Sequence, residues 1–428
     1  MENFIWGIAT ASYQIEGATN VNKEENIWDH YCHTTSNIKD RTSGDMACDF
    51  YHKYPEDIKL AKECGFKYFR LSISWSRIIK FPENVPNEEG IKFYRNVLKT
   101  IRDNGMKACV TLYHWDLPQF LQSKPLKGWA SSEIIQYFTT YTNLCFKEFQ
   151  HLVDLWITFN EPRVFALKGY QSGITAPGLK GYAKEAIYNV LISHAKTVKL
   201  FRDKYNGKNI GITLNTRSFV PVHPDSSEEQ NKCHQIMDET IGTWAHPVMF
   251  GSFPDTFTAN YLPKLSEDDK QLLKSTVDFI GINYYTTTGI VYENGKFGPK
   301  ELGIKSAAKW LRSYPDGLIP LLEFMKMRYD IPIIITENGY CTPDDIGIND
   351  AERVKYYDQH LEKVQNARKM GLLKGYFAWT LMDNFEWNAG YTERFGIIYI
   401  DFTDPTLKRE KKKSYYWWQE FLSKENTL

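Results

Sequence analysis

The sequence predicts a single closed (β/α)8 barrel with long loops, an α/β fold, and three observations carry that prediction. Short apolar runs rich in β-branched and aromatic residues recur eight times, stretches with helical spacing separate them, and nothing divides the 428 residues into separate units. Alternating strand and helix implies a parallel sheet, and eight such units without a linker close on themselves.

In chain order, the first run covers residues 4–10 and is followed by helical spacing at 54–64; the second covers 66–73 and leads to 88–104; the third, 107–113, leads to 132–149. The fourth, 155–160, reads Leu155-Trp156-Ile157-Thr158-Phe159 before Asn160 and gives way to helical spacing at 184–204. The fifth, 209–214, precedes 228–243, and the sixth, 277–283, precedes 319–328. The seventh, 331–336, built on Ile331, Ile333, Ile334 and Ile335, precedes 350–369, and the eighth, 375–381, is followed by a last helical stretch at 413–424. Runs of this length bounded by polar residues read as strands. One domain over 1–428 is expected. The rival arrangement, two open doubly wound domains, calls for a boundary or a nucleotide-binding glycine turn, and neither G-x-G-x-x-G nor G-x-x-x-x-G-K-[ST] occurs.

Composition excludes several classes of function. Lys plus Arg and Asp plus Glu both number 52, so no global field draws nucleic acid or an anionic membrane surface. No apolar run approaches membrane-spanning length. The seven cysteines are scattered and never form C-x-x-C, so neither a disulfide framework nor a zinc site is expected. The start of the chain lacks the basic and apolar stretches of a signal peptide, and no Asn-x-Ser/Thr sequon occurs, which together point to a cytoplasmic protein. Nothing in the residues fixes an oligomeric state.

In a barrel of this kind chemistry sits where the strands end. The fourth run passes into Asn160-Glu161-Pro162 and the seventh into Thr336-Glu337-Asn338-Gly339. A lone strand-end Glu is ordinarily a solvated loop residue or a helix N-terminal charge. A pair has another use: glycoside hydrolysis needs one protonated carboxyl to give a proton to the leaving oxygen and one ionised carboxylate to attack or to activate water. The residues alone leave open whether configuration is retained or inverted.

The chain resembles glycoside hydrolase family 1, the β-glucosidase family, along nearly its whole length. The resemblance rests on an ordered set: Phe4-Ile5-Trp6-Gly7-Ile8-Ala9-Thr10-Ala11-Ser12-Tyr13-Gln14-Ile15-Glu16-Gly17, Arg70-Leu71-Ser72-Ile73-Ser74-Trp75, Tyr113-His114-Trp115-Asp116-Leu117-Pro118, Thr158-Phe159-Asn160-Glu161-Pro162, Gly281-Ile282-Asn283-Tyr284-Tyr285, Thr336-Glu337-Asn338-Gly339 and Asn384-Phe385-Glu386-Trp387. It implies Glu161 as acid/base, Glu337 as nucleophile, and retention, for which the two carboxyls stand roughly 5 Å apart. It also places Arg70 and Tyr285 beside Glu337, where both keep that carboxylate ionised. An Arg at the end of the second strand needs a carboxylate partner if buried, and a purely structural ion pair is the plainer alternative.

By the same resemblance Gln14, His114, Asn160, Asn283 and Glu386 bind sugar hydroxyls or position the nucleophile, Trp379 and Trp387 form the sugar platform, and Trp310 the platform for the leaving group. Their side chains offer the mixed donors, acceptors and flat faces that a sugar requires. Taken singly, a Gln or His is more often a satisfied structural residue, and each Trp a core residue. The substrate implied is a β-glucoside or short oligosaccharide. Alternatives are a broader β-glucosidase, β-galactosidase and β-fucosidase, or a silent sugar-binding relative, which would have lost a catalytic Glu; a thioglucosidase would carry Gln where Glu161 stands. No cofactor is required. His30, Cys32 and His33 lie close together without a second ligand cluster, so no metal is expected. The basic run 408–413 reads as a solvated surface before the last helix.

Overall fold

The structure, a computed structural model, describes residues 4–425 apart from the side chain of Asp344. Eight parallel strands form a closed ring: β1 (Ile5–Ala9), β2 (Tyr68–Ser72), β3 (Lys107–Tyr113), β4 (Leu155–Asn160), β5 (Ile210–Pro221), β6 (Phe279–Glu293), β7 (Ile333–Asn338) and β8 (Gly375–Trp379). Neighbours in sequence are neighbours in the sheet, β8 pairs with β1, and the pairing of β6 with β7 completes the ring. The runs are mostly apolar because one face fills the barrel and the other lies under helices. In β4 and β8 every residue is buried.

The outer layer is made of α1 (Phe50–Cys64), α2 (Glu88–Asp103), α3 (Ile134–Phe149), α4 (Ala183–Tyr205), α5 (Ser227–Met237), α6 (Leu318–Tyr329), α7 (Ala351–Lys369) and α8 (Lys413–Glu425). In α2 the buried Ile91, Tyr94, Val97, Leu98 and Ile101 follow the helical repeat, and Glu88 and Glu89 occupy the first turn, where acidic side chains suit the helix dipole. The other helices likewise dock one stripe, as α8 does with Tyr415, Trp418 and Leu422.

Four boundaries differ clearly from expectation. α1 begins at Phe50 rather than 54, behind Asp49 in the left-handed region. The stretch expected as one helix over 228–243 is α5, then a wider turn over Asp238–Gly242, then a separate helix Thr243–Phe250. β5 and β6 run well past 214 and 283, staying paired up to Pro221 opposite Ile290, and β6 turns back into an antiparallel strand Lys296–Glu301. Their polar residues above the rim, Asn215, Thr216 and Arg217 on one strand and Thr286 to Thr288 on the other, end the apolar pattern without ending the hydrogen-bonded ladder. This extension forms one wall above the site.

Candidate active site

Both expected glutamates lie at the C-terminal end of the barrel, each just beyond a register shift: between Ile157 and Asn160 on β4, and between Ile335 and Glu337 on β7. Such irregularities re-aim side chains at a sheet's end. Glu161, the residue after β4, takes a left-handed conformation at φ 48°, and Pro162 behind it opens a short turn of helix. A non-glycine residue held there carries strain, and strain of this kind collects at functional sites.

Arg70 organises the floor. It stands mid-strand in β2, not at its end, and is fully buried. One guanidinium nitrogen donates to Glu337 Oε1 and to the Thr336 carbonyl, both at 2.8 Å, and the other to Asn160 Oδ1 at 2.8 Å. Tyr285 Oη donates to Glu337 Oε2 at 2.8 Å, so both carboxylate oxygens are held. Asn283 Nδ2 donates to Asn160 Oδ1 at 3.0 Å and to Glu161 Oε1 at 2.8 Å, while its own oxygen accepts from Thr336 Oγ1 at 2.8 Å. A continuous polar chain therefore runs from Glu337 through Arg70, Asn160 and Asn283 to Glu161.

The chain fixes a tautomer. Asn160 Oδ1 takes two donors, so its Nδ2 is the atom facing His114 Nε2 at 2.9 Å, and His114 carries its proton on Nδ1. Burial and the Arg70 charge hold His114 well below its usual value, hence neutral. Among the described residues its Nδ1 has no partner, and neither has Gln14 Oε1. Gln14 Nε2 donates to Asn384 Oδ1 at 2.9 Å, the Phe385 carbonyl at 3.0 Å and Glu386 Oε2 at 3.2 Å. The pocket thus keeps a buried N–H donor and a buried oxygen acceptor for a ligand with hydroxyls.

His114 lies nearly parallel to two tryptophans, Trp379 at 6.3 Å and Trp387 at 5.9 Å between ring centroids, and Trp387 also stacks on Tyr13 at 6.1 Å. Trp379 and Trp387 are buried, whereas Trp310 is 42 % exposed, with its ring edge-on to Tyr285 at 5.5 Å. The first two belong to the floor and the third to the mouth. Ten of the twelve residues expected at the site join in one network of hydrogen bonds and ring contacts, and the bonded pair Gln14 and Glu386 couples to it through the charges of Glu337 and Glu161.

Burial raises both carboxylates, with different opposition. Glu161 is pushed up to about 8 by burial and then by the charge of Glu337, with Asn283 pulling the other way. Glu337 is raised by burial too, but Arg70, Tyr285 and Asn283 all oppose that rise. Arg70 and Tyr285 thus favour the ionised form without fully cancelling burial. Of the pair, Glu161 holds the proton near neutrality.

Some participants carried no signal of their own. Thr336 orders both Asn283 and Arg70, and Trp115 Nε1 donates to the Asn160 carbonyl at 3.0 Å; both sit inside quoted motifs. Glu393 acts on Glu386 more strongly than any other charge does, and only folding brings the two together. His30 and His33 turn to Glu25 and Asp45, and among the described residues no group of three or more possible metal ligands occurs.

Residues 1–427 match the model of glycosyl hydrolase family 1. β-Glucosidase A of Acetivibrio thermocellus is 40 % identical, over 98 % of this chain and 97 % of that protein. Among solved structures, a family 1 β-glucosidase of Thermotoga maritima superposes with a TM-score of 0.90 at 36 % identity, covering 100 % of this chain and 98 % of the other. A mutant rice β-glucosidase, in a covalent complex with Glc, superposes with a TM-score of 0.91 at 32 % identity and covers 98 % of each chain.

Proposed function

The chain belongs to glycosyl hydrolase family 1, and from that premise we propose a division of labour in which Glu337 is the nucleophile and Glu161 the acid/base. The protein is an O-glycosyl hydrolase of the β-glucosidase kind that works with retention. One observation carries the assignment: of two carboxyls in one network, the buried Glu337 is ion-paired to Arg70 at 2.8 Å, while the half-buried Glu161 has no cation bonded to it among the described residues and stands near 8.

In this reading an ionised Glu337 oxygen attacks the anomeric carbon as the proton of Glu161 passes to the departing glycosidic oxygen. Water, deprotonated by the now ionised Glu161, then cleaves the glycosyl ester, frees Glu337 and restores the starting proton. The substrates proposed are terminal non-reducing β-D-glucosyl residues of short oligosaccharides and of glucosides with aromatic leaving groups. Gln14, His114 and Glu386 would hold the sugar hydroxyls over Trp379 and Trp387, and Trp310 would carry the leaving group. We also propose a reducing compartment such as the cytoplasm, supported by seven unpaired cysteines, six of them buried.

Glu337→Gly is expected to abolish turnover, and added azide to restore part of it by attacking from the face the carboxylate used, giving the glucosyl azide of inverted configuration. Near-normal hydrolysis by Glu337→Gly without azide would remove Glu337 from the nucleophile's role.

A further inference from the structure

Above the barrel rim β5 and β6 continue side by side, with Thr216 opposite Tyr284 and Ser218 opposite Thr287. Arg217 rises from this wall. Its Nη2 donates to the Trp310 carbonyl at 3.3 Å and its Nη1 reaches Thr288 Oγ1 at 3.5 Å. Trp310 stands 5.5 Å from Tyr285, which holds Glu337. Four residues before Arg217 on the same strand, the Thr213 carbonyl accepts the backbone N–H of Glu161 at 2.9 Å. Arg217 therefore belongs to the wall that runs from the acid/base to the exposed Trp310, on the side where a leaving group departs.

A guanidinium offers five donors. Arg217 uses two, on neutral acceptors and at long distances, and among the described residues it has no carboxylate at ion-pair distance. Its side chain is open to solvent at the mouth, and partial burial of the guanidinium lowers it from its usual value. A partly desolvated cation without a counter-ion gains from an anion that arrives with the ligand, and Arg in particular matches a carboxylate's two oxygens. A second cation, the exposed Lys168, lies near enough to Glu161 for its charge to act there. Two cations thus stand above a floor that holds Glu337 and Glu386, and the acidic Glu239 follows the wall on the far side, beside Thr240 that touches Thr216.

Resting on the β-glucosidase reading above, we infer that the leaving-group site selects aromatic aglycones bearing a carboxylate, the ring lying on Trp310 and the carboxylate pairing with Arg217. The anion is recognised outside the sugar pocket, so its contribution is uniform binding that appears in KM more than in kcat.

The test compares 4-carboxyphenyl and 4-carboxamidophenyl β-glucoside, alike in shape and different in charge, with wild type, Arg217→Ala, Arg217→Met and Arg217→Lys. Expected is a fall in kcat/KM of about tenfold on the carboxylate for Arg217→Ala, the size of one hydrogen-bonded charge partner. The amide should change by less than about twofold, as suits loss of a contact to the ring's neutral end. Arg217→Met, which keeps the apolar stem, should repeat the pattern, Arg217→Lys should recover part of it, and added salt should erode the wild-type preference. A carboxylate-to-amide ratio that is the same in wild type, Arg217→Ala and Arg217→Met overturns the inference, including the case in which both substrates lose equally because Trp310 has shifted. Should wild type cleave neither glucoside, the β-glucosidase reading itself falls; should it cleave both at a ratio the substitutions do not move, only the role of Arg217 does.

Discussion

At the scale of single residues, the site works by treating two chemically identical carboxyls differently. Glu337 is surrounded by donors on both oxygens, whereas Glu161 is bonded, among the described residues, by Asn283 alone and faces the charge of Glu337. Its displacement from the ordinary 4.5 to about 8 has two consequences. The first is kinetic: Glu161 must be protonated to assist departure, so kcat/KM should fall on the alkaline side near pH 8, and Glu161→Gln should remove that limb for a dinitrophenyl glucoside, whose leaving group needs no proton. The same variant should lose cellobiose hydrolysis far more than it loses formation of the glycosyl-enzyme. The second is thermodynamic. Between 4.5 and about 8 the folded protein binds a proton that the unfolded chain has released, so this group's contribution is fully present below 4.5 and is lost as pH rises through 8. Glu161→Gln should therefore gain melting temperature relative to wild type at pH 8.5 and gain little at pH 4, about the two ends of that window. An alkaline limb that survives in Glu161→Gln, or a stability difference with the opposite trend, would mean that the proton resides elsewhere.

At the scale of elements, the barrel presents the site through side chains that alternate in and out of the strands, and this layer tolerates little added bulk. On β6, Gly281 lies where a Cβ would collide with Thr213 Oγ1 and with Thr336, one layer beneath Asn283. Thr336 Oγ1 is the group that orients the Asn283 amide toward Glu161. Gly281→Ala is thus expected to cost about 1–3 kcal/mol of stability through overpacking, and to lower kcat by more than it changes KM because the polar chain between the two glutamates is displaced. Unchanged kcat in a destabilised Gly281→Ala would separate the packing layer from the catalytic one. The strands and most helices were legible because burial on both faces makes each run mostly apolar, and the two glutamates because both close such a run. What was not legible lies where that signal stops. Polar residues above the rim concealed the continuation of β5 and β6, and with it Arg217 beside Trp310. The pairing of Glu386 with Glu393, seven positions apart, depends on how the loop after β8 folds back, which no periodicity encodes.

At the scale of the whole molecule, a net charge of zero hides a separation of sign. Glu161, Glu337 and Glu386 lie within reach of one another's charge, and Glu393 reaches Glu386: Glu386 is driven well above its ordinary value by burial, then by Glu393 and Glu337. Glu393 is itself raised by burial, with Lys39 opposing. Such a floor suits neutral hydroxyls and repels anions. If Glu386 holds the outer hydroxyls of the glucosyl unit, as proposed, a phosphate on the 6-hydroxyl enters a partly desolvated space where the raised values of Glu386 and Glu393 already mark how poorly negative charge is accommodated, and a further charge placed there commonly costs several kcal/mol. Arg394 is engaged elsewhere: it donates to the Ile400 carbonyl at 2.8 Å, stands 3.7 Å from Asp383, and lies over the Phe402 ring at 4.8 Å. Wild type should therefore prefer nitrophenyl β-glucoside over its 6-phosphate by on the order of a hundredfold or more in kcat/KM, the ratio that about 3 kcal/mol gives. Glu386→Ser should lower that ratio by removing the nearer carboxyl, at a loss of rate on the unphosphorylated sugar, and Glu393→Gln should lower it further in combination because the second carboxyl acts through space. A wild type that favours the phosphorylated glucoside, or a ratio indifferent to both substitutions, would show that the acidic floor does not set this selectivity.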